Sequence, residues 1–325
     1  MSVVIARAGF LTTIQDLGRT GFRDFGVSAG GALDSFGLRL ANLLVGNAEA
    51  AAGLEITFGG LRLRFADDRV IAWCGGGFNA RLGSTSLSAG RAALAAAGDE
   101  LVFDHPERGC RSWLAISGGL DVPVVLGSRS TDLRANFGGH NGRTLRDGDV
   151  LPLGARAKPL IRKLREQKIS AWTPPRDWVS TARAEAVLRF TPGADWERFH
   201  SSARQRFVSE PFVISTESDR MGARLEGPEL RRMDERDLLS EAVAPGTIQV
   251  PPNGQAILLL GDCQTIGGYP KLAHVISVDL PAAAQLRAGD KVRFAEVPLA
   301  TAHQLLLERE EKLAQFRRGF EIHLA

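Results

Sequence analysis

Cysteine is scarce in this chain: Cys74, Cys110 and Cys263 are the only three in 325 residues. An odd, widely spaced set without a CxxC pair excludes a disulfide framework and a cysteine-rich zinc site, and predicts reduced thiols. No apolar run approaches the ~20 residues that a membrane-spanning helix needs. The opening Met1-Ser-Val-Val-Ile-Ala-Arg7 turns polar too early for a secretory leader, so a soluble, cytoplasmic protein with no membrane contact is expected. Long runs of one charge are missing as well. Forty Lys and Arg are scattered among 37 Asp and Glu, for a net charge of +3, and nucleic acid is not an expected partner. There is no GxxxxGK[ST] loop, no HExxH, no strand-linked GxGxxG and no Met-Lys-Met biotin site. ATP chemistry through a P-loop, a bound metal and covalent biotin are therefore not expected of this chain.

What is present is a globular composition, 44% hydrophobic and 24% charged, at a length that suits two domains. Short alternating runs such as Leu61-Arg-Leu-Arg-Phe65, punctuated by glycine, predict a mainly β fold with some α, a barrel or sandwich in the first half. Val3–Ile5 reads as an opening strand, Thr12–Gly31 as a charged, Gly-rich loop, and Asp34 as the cap of a helix running to Leu44. The basic stretch from Ala155 to Arg183, with Pro174-Pro175, reads as a connection. The expected division is residues 1–165, a linker at 166–184, and 185–325. In the second half, Val187–Phe190, Phe212–Ser215, Ala256–Leu260 and His274–Val278 read as strands, and Leu299–Arg318 as an amphipathic helix. Gly-Asp precedes an alternating run three times, at Gly98-Asp99, Gly148-Asp149 and Gly289-Asp290, which is either a recurrent turn or a trace of duplication.

Several loops concentrate chemistry. Gly26-Val-Ser-Ala-Gly30 matches GxSxG, but the nucleophile elbow needs an apolar strand before it and Arg23-Asp-Phe25 is not one. Asp16 and Arg19 stand three apart beside glycines, in a solvated turn or a substrate loop. Gly127-Ser-Arg-Ser-Thr-Asp132 offers Ser128, Arg129 and Ser130 to a carboxylate or phosphate, followed by Phe137-Gly-Gly-His140. Asp219 and Arg220 lie in an alternating charged run that suits a half-buried strand as well as a binding loop. In Gly261–Lys271, an apolar strand delivers Asp262, Gln264, Thr265, Tyr269 and Lys271 to one strand end, where polar groups converge on ligands. Tyr269 is the only tyrosine. Gln264 and Thr265 together can read an amide or lactam, Asp262 can serve as base and Lys271 can neutralise an oxyanion. A hydrogen-bonded structural turn is the competing reading.

Taken together, Thr12–Thr20, Gly127–Asp132, Ser218–Gly222, Ser240–Val250 and Gly261–Lys271 closely resemble the family of the 5-oxoprolinase C subunit. It is also called KipA-like or allophanate-hydrolase-subunit-2-like, and forms part of the biotin-dependent carboxyltransferase superfamily. The likeness runs from about Ile5 to Phe294. It implies two cyclophilin-like β-barrel subdomains, carboxyltransferase subdomains C and D. It also implies a heteromeric 5-oxoprolinase in which the B subunit is a direct partner and the A subunit takes part. ATP, at a shared or atypical site, would drive the opening of 5-oxoproline to glutamate. Phosphorylation would activate the lactam carbonyl for water attack, with Arg129, Arg19 or Lys271 stabilising the developing charge. Other members of the superfamily imply alternatives: a carboxyltransferase component acting on urea or another amide, or a KipA-type protein that antagonises a kinase inhibitor.

Overall fold

The computed structural model describes residues 1–183, 185–234, 236 and 238–324. They form two compact units: residues 1–19, 30–182 and the chain from Lys312 on, and residues 20–29 with 183–311.

In chain order the first unit contains β1 (Ser2–Ala8), β2 (Leu11–Gln15), α1 (Ser35–Leu44), β3 (Gly53–Thr57), β4 (Leu61–Phe65), β5 (Arg69–Gly77), β6 (Ala80–Leu82), β7 (Thr85–Leu87), β8 (Ala93–Ala95), β9 (Glu100–Phe103), β10 (Arg108–Ile116), β11 (Val150–Pro152), α2 (Lys158–Gln167) and α3 (Arg176–Val179). One sheet has the order β11-β1-β4-β9-β6-β7, the other β2-β3-β10-β5-β8. Alternation explains the layers. Leu61, Leu63 and Phe65 of β4 face a core shared with Ile14, Leu54, Ile71 and Trp73, while Arg62 and Arg64 point out. β5 is buried on both faces, because Val70, Ala72 and Cys74 pack instead beneath α1 and α2.

Two expectations change here. Thr12–Gln15 is strand, not loop: β2 pairs with β3 from Leu11↔Thr57 to Gln15↔Gly53. The basic stretch after Ala155 holds α2, whose Leu160, Ile161 and Leu164 are buried at helical spacing; its charges are the solvent face of a packed helix. Residues 166–182, expected as a connection, cluster with the first unit; Ala184 lies outside the described residues. Asp34 does cap α1, its Oδ1 accepting from Gly37 N at 2.7 Å.

The second unit contains β12 (Glu185–Pro192), α4 (Ser201–Ser209), β13 (Phe212–Ile214), β14 (Gly222–Glu226), β15 (Glu241–Ala242), β16 (Thr247–Gln249), β17 (Ile257–Leu259), β18 (Ile266–Gly267), β19 (Lys271–Val275), α5 (Leu280–Ala283), β20 (Lys291–Glu296) and the start of α6 (Leu299–Leu324). Seven strands close a barrel in the order β12-β19-β16-β17-β14-β13-β20, sealed by the parallel pairing of β12 with β20. Phenylalanine fills it: Phe207 stacks on Phe294 with ring centroids 4.5 Å apart, and Phe190 and Phe212 meet both edge-on or tilted.

The three Gly-Asp sites are one turn built three times. Gly98, Gly148 and Gly289 each have φ +88°. Each following Asp accepts, through its carboxylate, the N–H three residues back: Ala96, Arg146 and Arg287, at 2.8, 2.8 and 3.0 Å. Only glycine adopts that φ without strain, and the Asp closes the turn locally.

Candidate functional site

In the barrel, β17 ends at Leu259 and β19 begins at Lys271, so the loop between them is anchored at both ends by ladder pairing. Asp262 is gripped from the turn before β14: Arg220 Nε donates to Oδ2 at 2.8 Å and Nη2 to Oδ1 at 3.1 Å, with the two side chains 8% and 14% exposed. Asp219 shapes that turn, its Oδ1 accepting from Met221 N at 2.7 Å and Gly222 N at 3.1 Å. Cys263 is buried beside Val243, and burial pushes its thiol up to about 11, against the pull of Arg23.

Beyond Cys263 the loop turns toward β16. Gln264 Nε2 donates to Gln249 Oε1 at 3.3 Å, and Gln249 Nε2 donates to the Tyr269 carbonyl at 3.1 Å. Thr265 is buried and its carbonyl accepts from Val243 N. Among the described residues, Gln264 Oε1, Thr265 Oγ1 and the half-exposed Tyr269 hydroxyl accept or donate no hydrogen bond, which leaves an amide acceptor and two hydroxyls for a ligand.

Lys271 is buried along its stem, and its Nζ donates to Glu241 Oε2 at 2.6 Å; Glu241 is held there by the short β15–β18 ribbon, where it pairs with Gly267. The ammonium holds the Glu241 carboxyl below the usual range, first by that hydrogen bond and then by charge. Further along β19, His274 Nδ1 lies 3.3 Å from Thr247 Oγ1, and burial followed by the Lys271 charge lowers the imidazole below its ordinary value.

The first unit holds the other group of expected residues. Asp16 Oδ1 accepts from Ser128 Oγ at 2.6 Å, Ser130 Oγ at 2.6 Å and Gly18 N at 2.8 Å, and Oδ2 accepts from Arg129 N at 2.6 Å. One buried carboxylate therefore organises the whole Ser128–Ser130 loop. Arg19 is buried too, donating to the Ser130 carbonyl with its guanidinium 4.6 Å from the Phe137 ring centre. Arg129 reaches solvent, 35% exposed and 2.9 Å from Asp121.

Ser28 of the GxSxG match follows a short 3-10 turn at Arg23–Phe25 rather than a strand, so the elbow geometry is not made. Among the described residues no group of three or more His, Cys, Asp or Glu is placed to hold a metal ion, and no helix is long and apolar enough to cross a membrane.

Known proteins share both the sequence and the fold. The model of the "Carboxyltransferase domain, subdomain A and B" family matches residues 25–296. The chain belongs to that family. The lettering is A and B, in place of the expected C and D. Among carboxyltransferase-domain relatives, the 5-oxoprolinase C subunit of Escherichia coli (strain K12) is 42% identical over 298 residues, 92% of each chain. That of Haemophilus influenzae is 38% identical over 94% of each. The crystal structure of the K. lactis urea amidolyase superposes with a TM-score of 0.87 at 28% identity, covering 97% of this chain but 20% of that one. The chain thus spans about the full length of the bacterial relatives and a fifth of the urea amidolyase chain.

Sequence reasoning passed over Gln249, Glu241 and His274. Glu241 and Gln249 do lie in the Ser240–Val250 run that carries the family likeness, and a glutamine buried at the end of the short strand Thr247–Gln249 is what singles it out in the structure.

Proposed function

We propose that this chain is the C subunit of an ATP-dependent 5-oxoprolinase, which opens 5-oxo-L-proline to L-glutamate in the cytoplasm together with its A and B subunits. The observation that carries the reading is the 42% identity to the E. coli protein across 92% of both chains. The barrel site supports it chemically. Gln264, Thr265 and Tyr269 offer the donors and acceptors that a lactam amide requires, and Gln249 fixes Gln264 in place. Arg220 occupies both oxygens of Asp262, so Asp262 acts in this reading by positioning the loop. Arg19 is buried and donates to the Ser130 carbonyl, which leaves either Lys271 in the barrel or Arg129 in the first unit as the cation for developing charge.

In this reading ATP binds the assembled complex, at a site shared between subunits. The first turn of α1, the helix that follows the Gly30-Gly31 pair in sequence, already receives the Asp34 carboxylate on Gly37 N, where a phosphate would otherwise sit. Purified A, B and C proteins should release glutamate and ADP from 5-oxoproline, and omission of this chain should abolish both. Full turnover without it sinks the proposal. The urea amidolyase likeness favours one rival, carboxyl transfer from a partner's biotin to an amide; labelled bicarbonate fixed with a biotin carboxylase and its carrier, and no glutamate release, would select it.

A further inference from the structure

The first unit carries a cleft of about 360 Å³ that none of the functional loops above occupies. The cleft is lined by Pro123, Val125 and Phe137, by Asn136, and by the run Gly138–Gly142, its floor. That size, with both apolar and polar residues in the lining, suits a small organic molecule that carries a polar group.

The floor is a fixed surface. Gly138 and Gly139 have φ +70° and +53°, and a Cβ on either would meet Ser130 O at 2.1 Å or Thr131 Oγ1 at 1.9 Å. The backbone is thus pressed onto the loop that Asp16 organises. Only glycine permits so close an approach.

Polarity at the floor has a direction. The carbonyls of Phe137 and Gly138 are taken by Asp132 N at 2.9 Å and Gly142 N at 2.8 Å. Among the described residues the N–H groups of Gly138, His140 and Asn141 donate to nothing within the protein. No carboxylate lines the cleft. His140 Nε2 lies 3.4 Å from Asp149 Oδ1, and Arg143 binds both oxygens of Asp149 at 2.8 Å, so the ring is fixed at the edge of the cleft. Backbone N–H groups in left-handed turns form a recognised kind of anion receptor.

We propose that this cleft binds a small carboxylate-bearing molecule. Its carboxylate is received by the backbone N–H groups of Gly138, His140 and Asn141, and its apolar ring or chain lies against Pro123, Val125 and Phe137. The choice of probe rests on the proposed function: 5-oxo-L-proline and L-glutamate carry the carboxylate, whereas 2-pyrrolidinone keeps the lactam ring and lacks it.

The test is NMR titration of the full-length chain, with the backbone amide signals of Gly138, His140 and Asn141 assigned. The two carboxylates should move the Gly138, His140 and Asn141 amides saturably, and 2-pyrrolidinone should not. Val125→Trp, which fills the cleft from a wall residue, should abolish the response with thermal stability kept. No saturable shift, an equal shift with 2-pyrrolidinone, or undiminished binding in Val125→Trp overturns the proposal. Glutamate release by the reconstituted complex without any carboxylate response here removes the cleft and leaves the proposed function standing. A response here without glutamate release does the reverse.

Discussion

Arg220 clamps Asp262 through two parallel hydrogen bonds, although 42 residues separate them. The pair ties the turn before β14 to the loop after β17, and it is almost wholly withdrawn from water. Removing one partner strands a buried charge. Arg220→Ala should lower stability by about 3–5 kcal/mol, and Arg220→Ala with Asp262→Ala should cost less than the two single changes added. Urea unfolding of the four proteins checks this; strict additivity contradicts the clamp.

Asp16 should be the more important structural acid of the first unit. Its carboxylate accepts two hydroxyls and two N–H groups. Asp16→Ala leaves those donors buried and should cost roughly 3 kcal/mol or more, since a hydrogen bond to a charged group contributes about 1.5–3 kcal/mol. Retained stability in urea would show that the loop finds other partners.

Glu241 reports on Lys271. The ammonium lowers the Glu241 carboxyl, so the contact is complete at neutral pH and is lost as pH falls through that depressed value. The carboxyl carbon of Glu241, followed by NMR, should titrate below the ordinary glutamate range in the native protein and return to it in Lys271→Met.

His274 should make the barrel acid-sensitive. Its imidazole titrates at a lower pH folded than unfolded, so below the ordinary histidine value the unfolded chain takes up the proton first. Stability therefore declines as pH falls from about 7 toward the depressed value. His274→Gln should flatten the dependence of the melting temperature between about pH 7 and 5. An unchanged slope would assign the effect elsewhere.

The thiols should be silent. Cys74, Cys110 and Cys263 are all buried, and burial raises the thiol of Cys74, with Asp34 adding to it, as well as that of Cys263. A disulfide reagent at about pH 8, near the ordinary thiol value, should label none in the native protein and all of them after unfolding. Rapid native labelling would refute the packing at the residue modified.

Much of the fold was legible because it is written in local contacts. The Asp34 cap joins residues three apart. The three Gly-Asp turns are closed by an N–H three residues back, and the alternation of Leu61–Phe65 sets one face of a strand. Each is decided within a single turn or strand, so residue type alone specifies it. The stretch after Ala155 misled because its charges outnumber the three apolar residues that α2 buries, and average composition hides a narrow apolar stripe.

The site divides along the same line. Its loops were visible as clusters of polar residues at Asp16, Arg129, Arg220 and Asp262. Their partnerships were not, because Ser130 meets Asp16 across 114 residues, and Gln264 meets Gln249 only through the order of barrel strands. The sequence by itself determined which residue types are available and the turns that present them. The tertiary structure decided which carboxylates are consumed as staples and which amides remain open to a ligand, since a hydrogen bond needs its two groups within about 3 Å and only sheet order brings such distant segments that close.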